Sequence, residues 1–64
     1  MEYKTACRRY SNEVEELGFL KDRLKTAPPD EVERIQKNIE SRNVAIALLK
    51  KWFRFTKNKL PETT

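Results

Sequence analysis

Residues 24–35 read LKTAPPDEVERI, and this stretch ends one predicted helix and begins another. A residue that precedes a proline is pushed out of the α-helical region, so the first helix ends just before the two prolines. Pro29 suits the first position of the next helix, which needs no backbone donor. The two acidic residues after it lie in the first turn, where the helix dipole favours negative charge. We therefore predict helices at about residues 2–26 and 29–59.

Both predicted helices carry an apolar stripe at spacings of three and four residues, which is typical of a helix with one buried face. The first stripe contains Tyr3, Ala6, Cys7, Tyr10, Val14, Leu17, Leu20, Lys21, Leu24 and Ala27. The second contains Val32, Ile35, Ile39, Arg42, Ile46, Leu49, Phe53, Thr56 and Leu60. Because the link between the helices is short, antiparallel packing is the only compact arrangement. The sequence predicts an all-α, antiparallel two-helix hairpin, with residues 1–60 as a single domain and residues 61–64 as a disordered tail.

The position of the turn also predicts which residues lie at the same level of the hairpin. With the turn near Ala27, residues whose numbers sum to roughly 55 face each other across the seam. Arg42 then lies level with Glu13, which predicts an ion pair inside an otherwise apolar interface. The same counting places residues 55–60 beyond the start of the first helix. We expect them to overhang without an intramolecular partner.

The small size of the chain indicates self-association. A domain of 64 residues has a marginal core and usually needs a disulfide, a metal or a second subunit. One cysteine and no histidine exclude an internal disulfide and an ordinary zinc site. The second helix also carries an apolar line that a single hairpin cannot cover. We expect a homodimer that forms a four-helix bundle, with self-association residues Val44, Ala45, Leu48, Trp52 and Phe55.

The composition contains few of the side chains that enzymes use for catalysis. Without histidine there is no ready general acid–base group or nucleophilic triad, and acidic residues at helical spacing are usually a solvated face. We expect no enzymatic activity, no cofactor and no metal. The lone thiol of Cys7 is typical of a reducing compartment, and the longest apolar run, residues 44–49, is far below the ~20 residues of a membrane span. We expect a cytoplasmic protein.

A basic segment with interleaved aromatic residues, at residues 42–60, is the candidate binding region. Residues 33–64 carry eight basic and three acidic side chains, whereas residues 1–32 carry six and seven, so one end of the hairpin is basic. The candidate contact residues are Arg8, Arg9, Lys50, Lys51, Trp52, Arg54, Phe55, Lys57 and Lys59.

Four interpretations of this segment remain open. Trp52 and the cations can bind an acidic protein partner, which we favour. They can instead bind RNA or DNA through phosphates and an exposed aromatic ring, which ranks second, or an anionic membrane surface, which ranks last. Alternatively, the aromatic side chains are only the dimer core. The sequence thus predicts a small regulatory or adaptor protein that self-associates and binds a macromolecular partner.

Overall fold

The computed structural model describes residues 1–61, which form two helices packed as a hairpin. Helix α1 is Tyr3–Thr26 and helix α2 is Pro29–Phe55. The hairpin measures 42 × 19 × 14 Å, and the two helices form its whole packed interface. The all-α hairpin predicted from the sequence is confirmed. Of the predicted tail, Pro61 has no regular secondary structure, and residues 62–64 lie outside the described residues.

The two-residue link between the helices is extended, as expected for a residue before proline and for proline itself. Ala27 has φ −71° and ψ 141°, and Pro28 has φ −67° and ψ 156°. Pro29 occupies the first position of α2, and the Glu31 N–H donates a 2.9 Å hydrogen bond to the Pro28 carbonyl. Neither helix has a side-chain cap at its N-terminus, so the prolines rather than capping residues define the turn.

The core lies towards the open end of the hairpin, away from the turn. Its centre is Phe53, which is 1% exposed. The rings of Tyr3 and Tyr10 meet this ring edge-on, with centroids 5.9 and 6.1 Å away. The buried cluster is Ala6, Tyr10, Ile46, Leu49 and Phe53. These are the levels predicted from the turn, and the antiparallel register is therefore confirmed.

The predicted ion pair between the helices is present. Arg42 Nη1 donates to both carboxylate oxygens of Glu13, at 2.9 and 3.1 Å. The Glu13 side chain is largely buried, while Arg42 is half-buried. Removing either partner would leave a partly desolvated charge unpaired, so the pair favours one register of the two helices over a shifted one.

The second helix ends earlier than predicted, at Phe55 rather than near residue 59. The Asn58 N–H donates to the Phe53 carbonyl at 2.9 Å, and the Lys57 N–H donates to the Arg54 carbonyl at 3.2 Å. These two bonds form a Schellman motif, which requires a left-handed residue between the helix and the next segment. Lys57 takes that position, with φ 59°. The chain therefore leaves the helix axis at the turn of residues 56–57.

The predicted overhang of residues 55–60 is also wrong, because the chain after α2 bonds to the start of α1. The Tyr3 hydroxyl donates a 2.8 Å hydrogen bond to the Lys59 carbonyl. Hydrogen bonding with the Cys7 side chain raises the pKa of the Tyr3 phenol, although a phenol is protonated at neutral pH without such a shift. Two apolar residues of this segment retain the expected lack of cover, since Phe55 is 86% and Leu60 is 44% exposed.

Lys57→Gly tests the end of α2. A left-handed backbone is strained for lysine and unstrained for glycine, so we expect the free energy of unfolding to rise by about 1 kcal/mol. Urea denaturation followed by circular dichroism measures the change. Lys57→Ala keeps the Cβ atom and serves as the control, with no comparable gain expected. Equal stability of the two variants would contradict the assigned motif.

Candidate binding surface on the second helix

The second half of α2 exposes a row of large apolar side chains on the side that faces away from α1. Val44, Leu48 and Phe55 are 60%, 62% and 86% exposed. Their spacings of four and seven residues place them on one helical face, opposite the buried Ile46 and Phe53. We refer to Val44, Leu48 and Phe55 as the outer face of α2. An exposed apolar patch of this kind also occurs on monomeric proteins, where it is often a functional surface.

An open groove runs beside the outer face, between the two helices at the open end of the hairpin. Its volume is about 440 Å³, and its lining residues are Met1, Arg9, Glu13, Ala45, Leu48, Leu49 and Trp52. Leu48 belongs both to the groove and to the outer face of α2. The two therefore form one continuous apolar surface, with the Arg9 guanidinium at the groove side.

Trp52 links this surface to the hydrophobic core. It is half-buried, packs against the buried cluster, and meets Phe53 edge-on with ring centroids 5.1 Å apart. The residues predicted for self-association thus divide into two sets. Val44, Leu48 and Phe55 are free to contact another molecule, whereas Ala45 and Trp52 are partly covered by the hairpin itself.

Exposed cations surround the outer face. Lys50, Lys51 and Arg54 lie on the same half of α2, and all three are exposed. In residues 1–61 the ion pairs join Lys25 to Asp22, Lys37 to Glu33 and Arg42 to Glu13, and none includes a cation of this end. By helical spacing, Lys51 falls within the apolar row itself, between Leu48 and Phe55. The surface therefore has one cation, Lys51, within its apolar row, and further cations beside the row.

The other predicted contact residues are distributed less tightly. Arg9 lines the groove with Trp52, but the exposed neighbour Arg8 does not line it. Lys57 and Lys59 lie past the end of α2, in the segment that turns back towards Tyr3, so they do not continue the helical surface as predicted.

Two exposed apolar residues, Met1 and Phe19, were not among the contact residues predicted from the sequence. Met1 is 60% exposed and lines the groove, although it precedes α1 and belongs to no helical stripe. Phe19 is 56% exposed on α1. The sequence does indicate that Phe19 is exposed, because it directly precedes the core residue Leu20 and adjacent side chains on a helix point about 100° apart.

Reactive or metal-binding chemistry has no assembled site in the described part of the chain. Cys7 is a free, partly buried thiol packed against the core. Residues 1–61 contain no cluster of three His, Cys, Asp or Glu side chains able to hold a metal ion. Neither of the two helices is long and apolar enough to cross a membrane.

Alanine substitutions test whether the outer face is dispensable for the hairpin. We expect Leu48→Ala and Phe55→Ala to change the free energy of unfolding by less than about 1 kcal/mol, because both side chains are mostly exposed. Phe53→Ala removes the centre of the core and should cost about 3–5 kcal/mol. Chemical denaturation in dilute solution, where self-association is minimal, measures all three. A loss for Leu48→Ala as large as that for Phe53→Ala would show that the outer face is core.

No protein-family model matches the chain, and neither a curated protein nor a solved structure matches it.

Proposed function

We propose that this protein is a non-enzymatic regulatory or adaptor module that self-associates and binds an acidic, amphipathic helix of a protein partner. The observation that supports the proposal is the exposed apolar face of Val44, Leu48 and Phe55, set among cations that have no ion-pair partner within residues 1–61. In helix-in-groove recognition an amphipathic helix lays its apolar face into a hydrophobic groove of its partner. The groove beside Trp52 adjoins the outer face through Leu48 and offers such a site.

The size of the apolar row sets the strength of binding it can support. Val44, Leu48 and Phe55 expose about 300 Å² of apolar side chain, and burying that area contributes about 7 kcal/mol before association costs. Those costs are on the order of 4–15 kcal/mol. The outer face alone therefore gives weak binding, and a partner must also use the groove or the cations to reach useful affinity.

The surrounding cations select the chemistry of the partner. Lys51 and Arg54 would meet the flanking residues of any helix laid on the outer face. Like charges placed there are repelled, whereas carboxylates gain attraction and a faster encounter. An acidic partner helix satisfies the apolar centre and the basic margin together.

A nucleic acid fits this surface less well than an acidic helix. Single-stranded nucleic acids bind through cations and several aromatic stacking platforms. Here Phe53 is buried and Trp52 is packed edge-on against it, which leaves Phe55 as the one fully exposed ring of the basic segment. The row of Val44 and Leu48 between the cations offers nothing to phosphates.

Self-association uses the same outer face in this proposal. Two hairpins that meet at this face form a four-helix assembly. In that assembly, one copy covers the exposed apolar row of the other. A core built from seven buried residues is small, and binding of the folded form to a second chain would add stability. This is the physical reason to expect a second subunit.

A designed peptide tests partner binding directly. The probe is a fluorescently labelled amphipathic helix with a leucine stripe flanked by glutamates, and its counterpart carries lysines in their place. We expect the glutamate peptide to bind, the lysine peptide not to bind, and affinity to fall as salt is raised. Leu48→Asp should weaken binding roughly tenfold or more, as for the loss of an interface hot spot.

Gln36→Asp is the matched control, because it adds the same carboxylate to an exposed position nearer the turn on α2. It should leave the affinity for the glutamate peptide unchanged. Single-stranded RNA is measured in parallel by fluorescence anisotropy. Tighter binding of RNA than of peptide, unaffected by Leu48→Asp and reduced by Lys51→Gln, would replace the proposed function with nucleic-acid binding.

A further inference from the structure

Helix α1 exposes an aromatic side chain that the hairpin does not use. Phe19 is 56% exposed, while its neighbour Leu20 takes the buried position at that level. Residues three and four positions away share the face of Phe19. They are Glu15, Glu16, Asp22 and Arg23, all of them exposed. We refer to Glu15, Glu16, Phe19 and Asp22 as the acidic face of α1.

The acidic face keeps a net negative charge in the folded chain. It carries three carboxylates against one guanidinium, that of Arg23. The ion pair in this region joins Asp22 to Lys25 at 3.8 Å, and both of its side chains are about three-quarters exposed. Exposed pairs of this kind are screened by water and bind weakly. Asp22 therefore remains available to another cation.

The acidic face of α1 and the outer face of α2 are complementary. Each has an apolar centre, Phe19 on one and Leu48 on the other. The margins carry opposite charge, with three carboxylates around Phe19 and Lys51 and Arg54 beside Leu48. Thus the chain itself contains a surface with the chemistry of the acidic amphipathic helix proposed above as the partner.

The two faces cannot meet within one molecule. Both lie on the far side of their helix from the shared core, where Leu20 and Ile46 are buried. They are also offset along the hairpin, because Phe19 lies level with residue 36, about 18 Å from the level of Leu48 at 1.5 Å per residue. Contact between them requires two copies of the chain.

Packing of α2 against α2 of a second copy is opposed by charge. An antiparallel pair centred on Leu48 places the two Lys51 side chains about 9 Å apart along the axis, and a parallel pair places them side by side. In the parallel pair the two Arg54 side chains also lie side by side, whereas in the antiparallel pair they lie about 18 Å apart along the axis. Like charges at an interface are unfavourable, whereas the acidic face of α1 supplies the opposite charge.

We propose that this protein self-associates head to tail, with the acidic face of α1 of one copy docked on the outer face of α2 of the next. This inference rests on the proposed function, because it assigns a second copy as one occupant of the same surface. A head-to-tail assembly keeps one free acidic face of α1 at one end and one free outer face of α2 at the other, so growth continues unless a ring closes. A partner helix bound to the outer face of α2 occupies the surface on which the next copy docks, so its binding disassembles the head-to-tail assembly.

Complementation between two variants tests the inference. Leu48→Asp disables the outer face of α2, and Phe19→Asp disables the acidic face of α1. Both positions are mostly exposed, so both variants should fold, which circular dichroism checks. Sedimentation velocity should show the wild-type chain growing with concentration and each variant alone as a monomer. Mixed in equal amounts, the variants should form a discrete heterodimer, because each contributes the face that the other lacks.

Other outcomes separate the inference from the proposed function. If Phe19→Asp self-associates as well as the wild type, α1 is not the docking helix and the inference is wrong, while peptide binding to α2 is untouched. A wild-type chain that stays monomeric while binding the glutamate peptide overturns the inference and the self-association part of the proposed function, and it leaves partner binding intact. Loss of wild-type assemblies on addition of that peptide, with Gln36→Asp assembling normally, supports both.

Discussion

A hairpin of two helices can cover only one face of each helix, and the rest of this structure depends on that limit. The covered faces meet around Phe53, which is held by the rings of Tyr3 and Tyr10. Apolar side chains on the other faces of the two helices stay exposed to water until another molecule covers them. On α2 these are Val44, Leu48 and Phe55, and on α1 there is Phe19. The exposed apolar surface is thus the direct consequence of an apolar content larger than two helices can bury.

The register of the hairpin was predictable from the sequence because it follows from the turn. Two prolines end one helix and begin the next within two residues, so counting from Pro28 pairs the levels, and the ion pair of Arg42 with Glu13 follows. The end of α2 was not predictable in the same way. A Schellman motif normally has glycine or asparagine at its left-handed position, and here that position is Lys57, which looks like any other helix-forming lysine.

The binding surface was predicted in composition but not in geometry. Helical spacing identified Leu48, Trp52 and Phe55 as a second apolar line, yet it could not show that Trp52 is turned towards Phe53 while Phe55 is almost fully exposed. The half-buried Trp52 and the exposed Phe55 belong to the same apolar line in the sequence. They differ because Phe55 lies on the side of α2 that faces away from α1, whereas Trp52 lies closer to the side of Phe53.

Trp52 would couple the proposed binding at the α2 surface to the stability of the hairpin. Its ring packs on the core at one edge and lines the groove at another, so a ligand that covers the groove also shields the side chain next to Phe53. Binding to the folded form alone stabilises it by mass action. For a core this small, an occupied α2 surface and a well-folded hairpin are therefore linked states. Since a partner helix and a second copy would occupy the same face, either can provide that stabilisation, and exchange between them need not unfold the chain.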